Sequence, residues 1–483
     1  MRRELKLDWL TLGLYLFFIL FGWLNIYAAS TNDASLDLFN FDYNYGKQFV
    51  YIAVCMGTGL MLLYFIDLRD IEFFAYIIYG LTILLLIYVM LFGREINGAK
   101  SWIEIGSLRL QPSEFAKIGS LLAIAKYMSQ PGFNWNRLRD RALVIAMMVL
   151  PALLIRQQGD TGTALVYIGL IFMFYREGLS PLYLIFGTIL IAISIMALLM
   201  NAVNVINLVI LLTLAVYFFN TRIKNRWSQF LLIAGVNLAA LWIFGIQETD
   251  IHLGSLSITG EVILIGVSVL LFAGLLYYFL AYRNKSWRVY LFILLGLVTL
   301  VFSIDWIFNN AIEGYQRDRI VALFNPEFDP KGINWNTTQS KIAIGSGGLW
   351  GKGYLEGTQT KFDFVPQQHT DFIFCTIGEE WGWLGSAFLI ILFFVFLAQM
   401  VYMAEECKSH FGRIFGYGAA GLFFVHIAIN VAMTIGFAPV IGIPLPFFSY
   451  GGSSLLSFTL MYFIVLKFYA NRANSLATTG GVV

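Results

Sequence analysis

Residues 314–385 read GYQRDRIVALFNPEFDPKGINWNTTQSKIAIGSGGLWGKGYLEGTQTKFDFVPQQHTDFIFCTIGEEWGWLG. This segment is polar, rich in glycine and interrupted by Pro326, Pro330 and Pro366, whereas most of the remaining chain is apolar. Such a segment cannot lie in membrane hydrocarbon unless protein or water surrounds it, because its backbone groups need hydrogen-bond partners. A long segment of this kind between membrane helices is more often functional than structural. We therefore expect the chemistry in a large outer loop over residues 310–370.

The composition is that of a membrane protein. Of the 483 residues, 59% are hydrophobic and only 12% are charged. A soluble protein would contain about a quarter charged residues, so we expect a polytopic membrane protein. The net charge of +2 gives no sign of a nucleic-acid partner. The first apolar run lacks an Ala-x-Ala cleavage site, which favours a retained first helix.

The apolar runs predict an all-α protein with about 14 transmembrane helices, at about 20 apolar residues per crossing. The large extracytoplasmic loop precedes the last three of them, and we divide the chain into residues 1–180, 181–309, 310–370 and 371–483. The predicted helices lie at 10–29, 48–66, 72–93, 113–128, 142–156, 160–175, 181–200, 203–219, 228–246, 262–282, 289–309, 371–399, 412–436 and 450–470.

Basic residues predict the orientation of these helices. If both termini are cytoplasmic, the inner loops carry clusters such as Arg137, Arg139 and Arg141, and most outer loops are acidic or neutral. The outer segments 94–112 and 315–370 are exceptions, since both are rich in Lys and Arg. These cations indicate an anionic ligand on the outer side, unless they only pair with nearby carboxylates.

The segment Gln111–Lys117 has the features of a helix start and also carries ionisable groups. Pro112 suits the first turn, Ser113 can cap the helix, and Glu114 suits the positive end of the helix dipole. Lys117 lies inside an otherwise apolar helix, where its ammonium needs a partner, and Glu114 is three residues away. Ionisable residues in membrane helices are candidates for a functional site.

Two aspartates follow at very different places in the chain. Asp160 joins two apolar runs almost without a loop, at or just below the outer interface, and it can be either a helix N-cap or a functional group. Asp329 precedes Pro330, which favours an extended backbone at the aspartate. Arg317 and Arg319 stand shortly before it.

The later polar segments give weaker signals. Residues Gln339–Gly348 indicate a short helix with a glycine-rich turn, which allows a ligand to approach the backbone closely. His369 alone is more often a structural hydrogen-bonding residue than a catalyst. Glu379 and Glu380 are adjacent, so their side chains face different ways on a helix, and we expect one buried partnership and no acid pair. Residues Pro444–Ser454 indicate a re-entrant or broken-helix turn.

Together these segments resemble the SEDS family of shape, elongation, division and sporulation proteins, whose members include RodA and FtsW. The resemblance covers residues 1–180 and 289 to the C-terminus, and the loop sequence SKIAIGSGGLWGKGYLEGTQ is similar to that of the RodA-like elongation members. The motifs, in the order of the family, are GAKSWIEIG, LQPSEFAK, DTGTAL, YQRDRI, NPEFDPKG, TQSKIAIGSGGLWGKG, HTDFIF, GEEWGWLG and PLPFFSYGGSSLL.

The resemblance implies a function, partners and site residues. Family members are peptidoglycan glycosyltransferases that polymerise lipid II outside the bacterial cytoplasmic membrane, with a class B penicillin-binding protein as partner. The family's essential loop aspartate corresponds to Asp329 through the Pro-x-x-Asp-Pro pattern, and its charged residues at the membrane interface correspond to Glu114, Lys117 and Asp160. The candidate substrate-binding residues are Trp102, Glu114, Lys117, Asp160, Arg317, Arg319, Ser340 and His369.

The chain departs from the family pattern in three places. Gln367 replaces a usual glutamate before the His-Thr-Asp motif, and Gly159 replaces a usual proline before Asp160. Between 181 and 309 the family's ten-helix core has one crossing, whereas this chain has apolar runs for five. We expect the four inserted helices, at about 200–288, to lie at the periphery of the protein, because they lack intramembrane charges of the kind that mark a substrate path.

A mechanism follows from the needs of sugar transfer from a lipid-linked donor. Asp329 would take the proton from the acceptor hydroxyl, and Lys117, Arg317 and Arg319 would stabilise the departing pyrophosphate. A divalent cation such as Mg²⁺ would assist, and one base without a carboxylate nucleophile would invert the anomeric centre, by analogy with glycosidases. The alternatives are a lipid II flippase and a scaffold of the elongation complex without activity. The outer position of Asp329 favours the enzyme.

Overall fold

The computed structural model describes residues 7–30, 41–96, 99–106, 108–200, 202–220, 226–246, 251–253, 256–258, 260–282, 287–310, 314–325, 328–329, 332, 334–362 and 364–472. Contacts between residues divide the chain into two compact units. The first unit contains Met1–Ser180 and Arg319–Val483, and the second contains Pro181–Asp318.

The described residues are mostly helical. In chain order the helices are α1 (Trp9–Ser30), α2 (Asn44–Phe65), α3 (Leu68–Phe92), α4 (Pro112–Met128), α5 (Leu138–Gln157), α6 (Thr161–Val166), α7 (Leu170–Arg176), α8 (Pro181–Leu199), α9 (Ala202–Asn220), α10 (Arg226–Ala240), α11 (Gly260–Tyr282), α12 (Trp287–Asn310), α13 (Gly314–Phe324), α14 (Trp335–Ser346), α15 (Thr358–Lys361), α16 (Ile373–Glu380), α17 (Gly382–Glu406), α18 (His410–Thr434) and α19 (Gly452–Ala470). Among them, eight are long and apolar enough to cross a membrane, so this is a multi-pass membrane protein. The larger number of about 14 crossings stays a prediction.

The centre of the first unit is formed by α4, α18 and α19. The apolar lengths of α18 and α19 are 78% and 89% buried, whereas that of α17 is 28% buried. Aromatic rings fill much of this core, as where Tyr15 of α1 stacks on Tyr462 of α19 with ring centroids 5.1 Å apart. A polar side chain on α4, α18 or α19 therefore needs a partner inside the protein.

Two small antiparallel sheets correct the all-α prediction. Strands β1 (Arg94–Ile96), β2 (Ala99–Ile105) and β3 (Leu108–Leu110) form one sheet, and β4 (Ile251–Leu253) pairs with β5 (Leu256–Ile258). Within β2, apolar and polar residues alternate only over Ile103, Glu104 and Ile105, so the whole strand lacks the pattern of one packed face. In the first sheet Glu104 pairs with both Arg94 and Arg109, so these two cations do pair with a local carboxylate.

The predicted single helix at 371–399 is wrong, because two helices, α16 and α17, meet there at a break. Gly382 has φ +67°, a backbone conformation that side chains disfavour. Its backbone lies against Gly351, and a Cβ on either glycine would overlap main-chain atoms. The segment 348–352 runs beside this break. Lys352 N–H donates to Glu379 O at 3.0 Å, and Trp383 N–H donates to Gly348 O at 2.9 Å.

The second unit contains helices α8 to α12, which occupy the five apolar runs predicted for residues 181–309. Ile193 of α8, Tyr217 of α9 and Leu294 of α12 belong to one hydrophobic cluster. The helix α10 continues as a π-helical turn at Leu241–Ile246. These helices therefore pack around a core of their own.

Candidate active site

The N-terminal end of α4 is joined to that of α6 through Asp160. The Asp160 carboxylate accepts hydrogen bonds from the Gln111 amide at 2.9 Å, from the Ser113 hydroxyl at 3.4 Å and from the Thr163 backbone N–H at 3.0 Å. The last of these confirms the predicted N-cap. Asp160 thus caps one helix and also holds the start of another.

Lys117 is enclosed by protein groups. Its Nζ lies 2.8 Å from Glu114 Oε2 and 2.8 Å from His426 Nε2, and the three residues are at most 1% exposed. The predicted pairing of Lys117 with Glu114 is confirmed. The expectation that Lys117 faces a pyrophosphate does not fit this arrangement, because its ammonium has no exposed surface.

The His369–Asp371 segment is clamped onto the turn before α19. Ser449 Oγ donates to Thr370 O at 2.6 Å, and Tyr450 N–H donates to His369 O at 2.9 Å. Asn430 of α18 donates to the carbonyls of Asp371 at 2.8 Å and of Ile443 at 2.6 Å. These bonds fix the backbone that carries Asp371.

Asp371 is a further carboxylate of this site. Burial, together with the negative charge of Asp160, raises the pKa of Asp371 to about 6. The α4 end is linked to the same region, because Gln111 N–H donates to Ser453 Oγ at 3.1 Å. Four sequence motifs that are far apart in the chain therefore meet in one hydrogen-bonded cluster. They are LQPSEFAK, DTGTAL, HTDFIF and PLPFFSYGGSSLL.

Asp329 lies in a turn between α13 and α14, and its exposed carboxylate rests over Gly332. The predicted extended backbone is wrong, since φ of Asp329 is +46°. The Asp329 carbonyl accepts hydrogen bonds from the N–H groups of Gly332 at 3.2 Å and Asn334 at 3.3 Å, which close the turn. Aspartate tolerates the left-handed region better than most residues.

The other predicted site residues are spread over several elements. Trp102 is half-buried on β2, and His369 packs against the ring of Tyr450 with centroids 5.7 Å apart. Ser340 on α14 is fully buried and donates to Thr434 O at 2.9 Å, which indicates a structural role. Arg319 is half-buried in the first unit. Arg317 belongs to the second unit, where its guanidinium lies 5.4 Å from the Phe308 ring centroid.

Glu379 and Glu380 behave as two separate groups, which confirms the prediction of one buried partnership. Glu379 accepts from Lys352 Nζ at 2.6 Å and from the N–H groups of Gln359 and Thr360 at 2.9 Å each. Burial alone would raise the pKa of Glu379, but these hydrogen bonds outweigh it and hold the pKa below its usual value. Glu380 is 2% exposed, and burial raises its pKa to about 8.

Sequence reasoning missed His426, Asp371 and the Lys352–Glu379 pair as parts of this architecture. His426 could have been noticed because it and Tyr417 are the two titratable side chains between Arg413 and the end of the run at 412–436. Its contact with Lys117 could not have been predicted, because the two residues are 309 positions apart in the chain. No cluster of three or more His, Cys, Asp and Glu side chains suited to a metal ion occurs among the residues described above.

The chain is similar to known proteins over most of its length. A profile of the cell cycle protein family FtsW/RodA/SpoVE matches residues 8–208 and 203–474. The peptidoglycan glycosyltransferase RodA of Treponema pallidum is 34% identical over 455 residues, which cover 93% of this chain and 94% of the relative. The peptidoglycan glycosyltransferase MrdB of Escherichia coli K12 is 28% identical over 421 residues, covering 87% and 84%.

Solved structures share the fold. A chain from a peptidoglycan synthase complex, studied for the coordination of polymerization and crosslinking, has a TM-score of 0.59 at 23% identity, covering 97% of this chain and 99% of its own. The rod shape determining protein RodA of Thermus thermophilus has a TM-score of 0.54 at 23% identity, covering 97% and 98%. The family profile and the 34% identical relative confirm the resemblance inferred from the motifs, and the chain belongs to the FtsW/RodA/SpoVE family.

Proposed function

We propose that this protein is a peptidoglycan glycosyltransferase that polymerises lipid II into glycan strands during cell elongation. The observation that carries the proposal is the 34% identity, over 93% of the chain, to a relative named peptidoglycan glycosyltransferase RodA. The meeting of the four motifs around Asp160 and Asp371 supports it, because a shared reaction site is a reason for distant segments to converge.

Asp329 is the proposed general base. Its carboxylate is exposed, so an acceptor hydroxyl can reach it, and proton removal by such a group contributes about 10²–10⁴-fold to a rate. Arg319 and Arg317 would stabilise the charge that develops on the departing pyrophosphate. One base and no carboxylate nucleophile would invert the anomeric centre, by analogy with glycosidases. The apolar faces of the membrane helices would hold the lipid tail.

A divalent cation such as Mg²⁺ is part of the proposal. Asp160 and Asp371 are close enough for the charge of one to raise the pKa of the other, and a cation would relieve this repulsion. Mg²⁺ usually binds one or two carboxylates and takes its other ligands from phosphates and water. When bound, it would neutralise charge on the pyrophosphate. These two aspartates are the residues that would hold it.

The proposed setting is the bacterial cytoplasmic membrane, with both termini in the cytoplasm and the Asp329 loop outside. The distribution of Lys and Arg supports this orientation. A class B penicillin-binding protein is the proposed partner. The similarity to a chain from a peptidoglycan synthase complex supports an assembly of this kind.

The test is lipid II polymerisation by the purified protein, with an inhibitor of the classical glycosyltransferases present. Asp329→Asn should lower the rate by about 10²–10⁴-fold while the thermal unfolding temperature stays unchanged. Glu356→Gln, which removes another exposed carboxylate of the same loop, is the matched control and should keep full activity. An Asp329→Asn variant with most of its activity would exclude this base. Translocation of lipid II headgroups without polymer formation would favour a flippase instead.

A further inference from the structure

His426 is the third member of the buried cluster that contains Glu114 and Lys117. It lies on α18, is 1% exposed and packs edge-on against the Phe458 ring with centroids 4.8 Å apart. Its Nε2 lies 2.8 Å from Lys117 Nζ, and its Nδ1 lies 3.3 Å from the carbonyl oxygen of Pro444. The imidazole therefore bridges α4 and the turn before α19.

The neighbours of His426 determine where its proton is. An ammonium has only donors to offer, so Lys117 donates to Glu114 Oε2 and to His426 Nε2. The Nε2 atom must then be the unprotonated one, and Nδ1 carries the hydrogen that faces the Pro444 carbonyl. The result is a chain of hydrogen bonds that runs from Glu114 through Lys117 and a neutral imidazole to Pro444.

The face of α18 that carries His426 also carries Asn430, one turn further on. Asn430 donates to the carbonyls of Ile443 and Asp371. One helix face thus holds two consecutive carbonyls of the turn, at 443 and 444, and the backbone of Asp371. A shift of His426 would move the turn that Ser449 and Tyr450 clamp onto the His369–Asp371 segment.

We propose that His426 is a positioning residue of the transferase site. As a neutral acceptor for Lys117 and a donor to Pro444, it fixes α4 and the 443–450 turn relative to each other. It touches no substrate, because His426 is only 1% exposed and Lys117 is fully buried. Replacement of His426 should therefore lower the rate of the enzyme–substrate complex and leave substrate binding unchanged. The proposal rests on the proposed function for its kinetic readout, but its proton assignment can be tested independently.

The kinetic test compares His426→Gln with His426→Met. Both side chains are unbranched and of similar length, but only glutamine can accept from Lys117 and donate to Pro444. Since a misplacement of about 1 Å can cost about 10²-fold in rate, His426→Met should lower kcat by about that factor with little change in KM for lipid II. His426→Gln should recover most of kcat. Equal losses in the two variants, or a raised KM at normal kcat, would overturn the proposal.

A matched control is His410→Met. His410 contacts Glu177, which also binds Arg413, and lies outside the site, so this change should leave kcat unaffected. If His426→Met does not fold, the comparison is repeated in the Lys117→Met background, where no ammonium needs an acceptor. There the difference in kcat between the Gln and Met variants should be smaller, because only the contact with Pro444 still distinguishes them, and an undiminished difference would contradict the coupling of His426 to Lys117.

A spectroscopic test does not depend on activity. Imidazole ¹⁵N shifts of the wild-type protein at pH 7, assigned with His426→Gln, should report a neutral ring with the hydrogen on Nδ1. An imidazolium or an Nε2–H tautomer would overturn the proposal even if the protein polymerises lipid II. Conversely, an inactive wild-type protein with the Nδ1–H tautomer would leave the cluster intact and reject only the proposed function.

Discussion

The backbone at Asp329 holds the proposed base in a turn that depends on its neighbour. Asp329 has φ +46°, and its carboxylate rests directly over Gly332. A Cβ at position 332 would overlap both carboxylate oxygens, so no side chain other than hydrogen fits there without moving the aspartate. The position of the base is therefore determined by the lack of a side chain three residues later.

Gly332→Ala should lower the polymerisation rate although residue 332 is exposed and carries no functional group. Displacing the Asp329 carboxylate by about 1 Å should cost about 10²-fold. The rate is measured with purified protein and lipid II. Gly345→Ala is the control, because nothing lies within 4 Å of a Cβ there. Equal rates for Gly332→Ala and wild type would show that the turn does not position the base.

At the scale of elements, the break between α16 and α17 holds the loop segment 347–361 through backbone and side-chain hydrogen bonds. Its two adjacent glutamates have opposite environments, since Glu379 is held by Lys352 and backbone N–H groups and Glu380 is buried with one oxygen lacking a hydrogen bond. The loop from 347 to 361 closes over them, with Tyr354 donating to Leu24 O of α1 at 3.0 Å. The charged carboxylate of Glu379 stabilises the loop in this position, whereas burial disfavours ionisation of the Glu380 carboxyl group.

Glu380→Gln should stabilise the protein as the pH rises. The folded pKa of Glu380 is about 8 and its usual value is 4.5, so between these pH values the folded state binds a proton that the unfolded state does not. The stability of the wild type then falls with pH across this window, and glutamine removes that loss. Thermal unfolding at pH 5, 7 and 9 should show an advantage of the variant that grows to about pH 8 and then stays constant.

Glu379→Gln is the matched comparison and should act in the opposite direction. The pKa of Glu379 is lowered, so its carboxylate stabilises the folded state above its unfolded pKa, and this contribution is lost as the pH falls through the folded pKa. The variant should be destabilised most at neutral pH and less in acid. If the stability of both variants relative to the wild type changed with pH in the same direction, the two glutamates would not have the opposite environments described above.

At the scale of the whole molecule, the chain contains a second unit that holds only the start of one family motif, YQRDRI. Residues Pro181–Asp318 form this unit around their own hydrophobic cluster, and the first unit resumes at Arg319. The family profile also matches in two pieces, which meet near residues 203–208. Both observations are expected if extra helices were added to a smaller core.

Removal of residues 200–288 with a short splice should leave a protein that folds and keeps some polymerase activity. The physical reason is that the residues of the cluster around Asp160 and Asp371 all belong to the first unit. Activity is measured in the lipid II assay and folding by thermal unfolding. An aggregated or wholly inactive deletion variant, beside an active full-length protein, would assign the second unit a role in the reaction or in assembly.

Reporter fusions test the predicted topology of the same region. Tags at Asn225 and Ser255, which lie outside the described residues, should report the cytoplasm and the outer side respectively, because basic loops stay inside. Both tags on one side, or the reverse result, would reject this layout of the inserted helices.

The sequence alone was enough for the class of protein, the positions of most helices and the family. Runs of apolar residues predict membrane helices because each crossing needs a fixed apolar length, and α8 to α12 follow those runs. Local contacts were also predictable, since Glu114 with Lys117 and Asp160 with Thr163 are three residues apart. The motifs, taken in their order along the chain, were sufficient to identify the family.

Only the tertiary structure decided what surrounds these residues. The chain order cannot reveal that His426 accepts from Lys117, that Asp371 lies near Asp160, or that Gly351 packs on Gly382, because burial and pairing depend on which helices meet. The same limit made the predicted extended backbone at Asp329 wrong, and it hid the full burial of Lys117. Proline and charge patterns describe local preference, whereas a turn closed by Gly332 and an ammonium enclosed by two helices are properties of the folded chain.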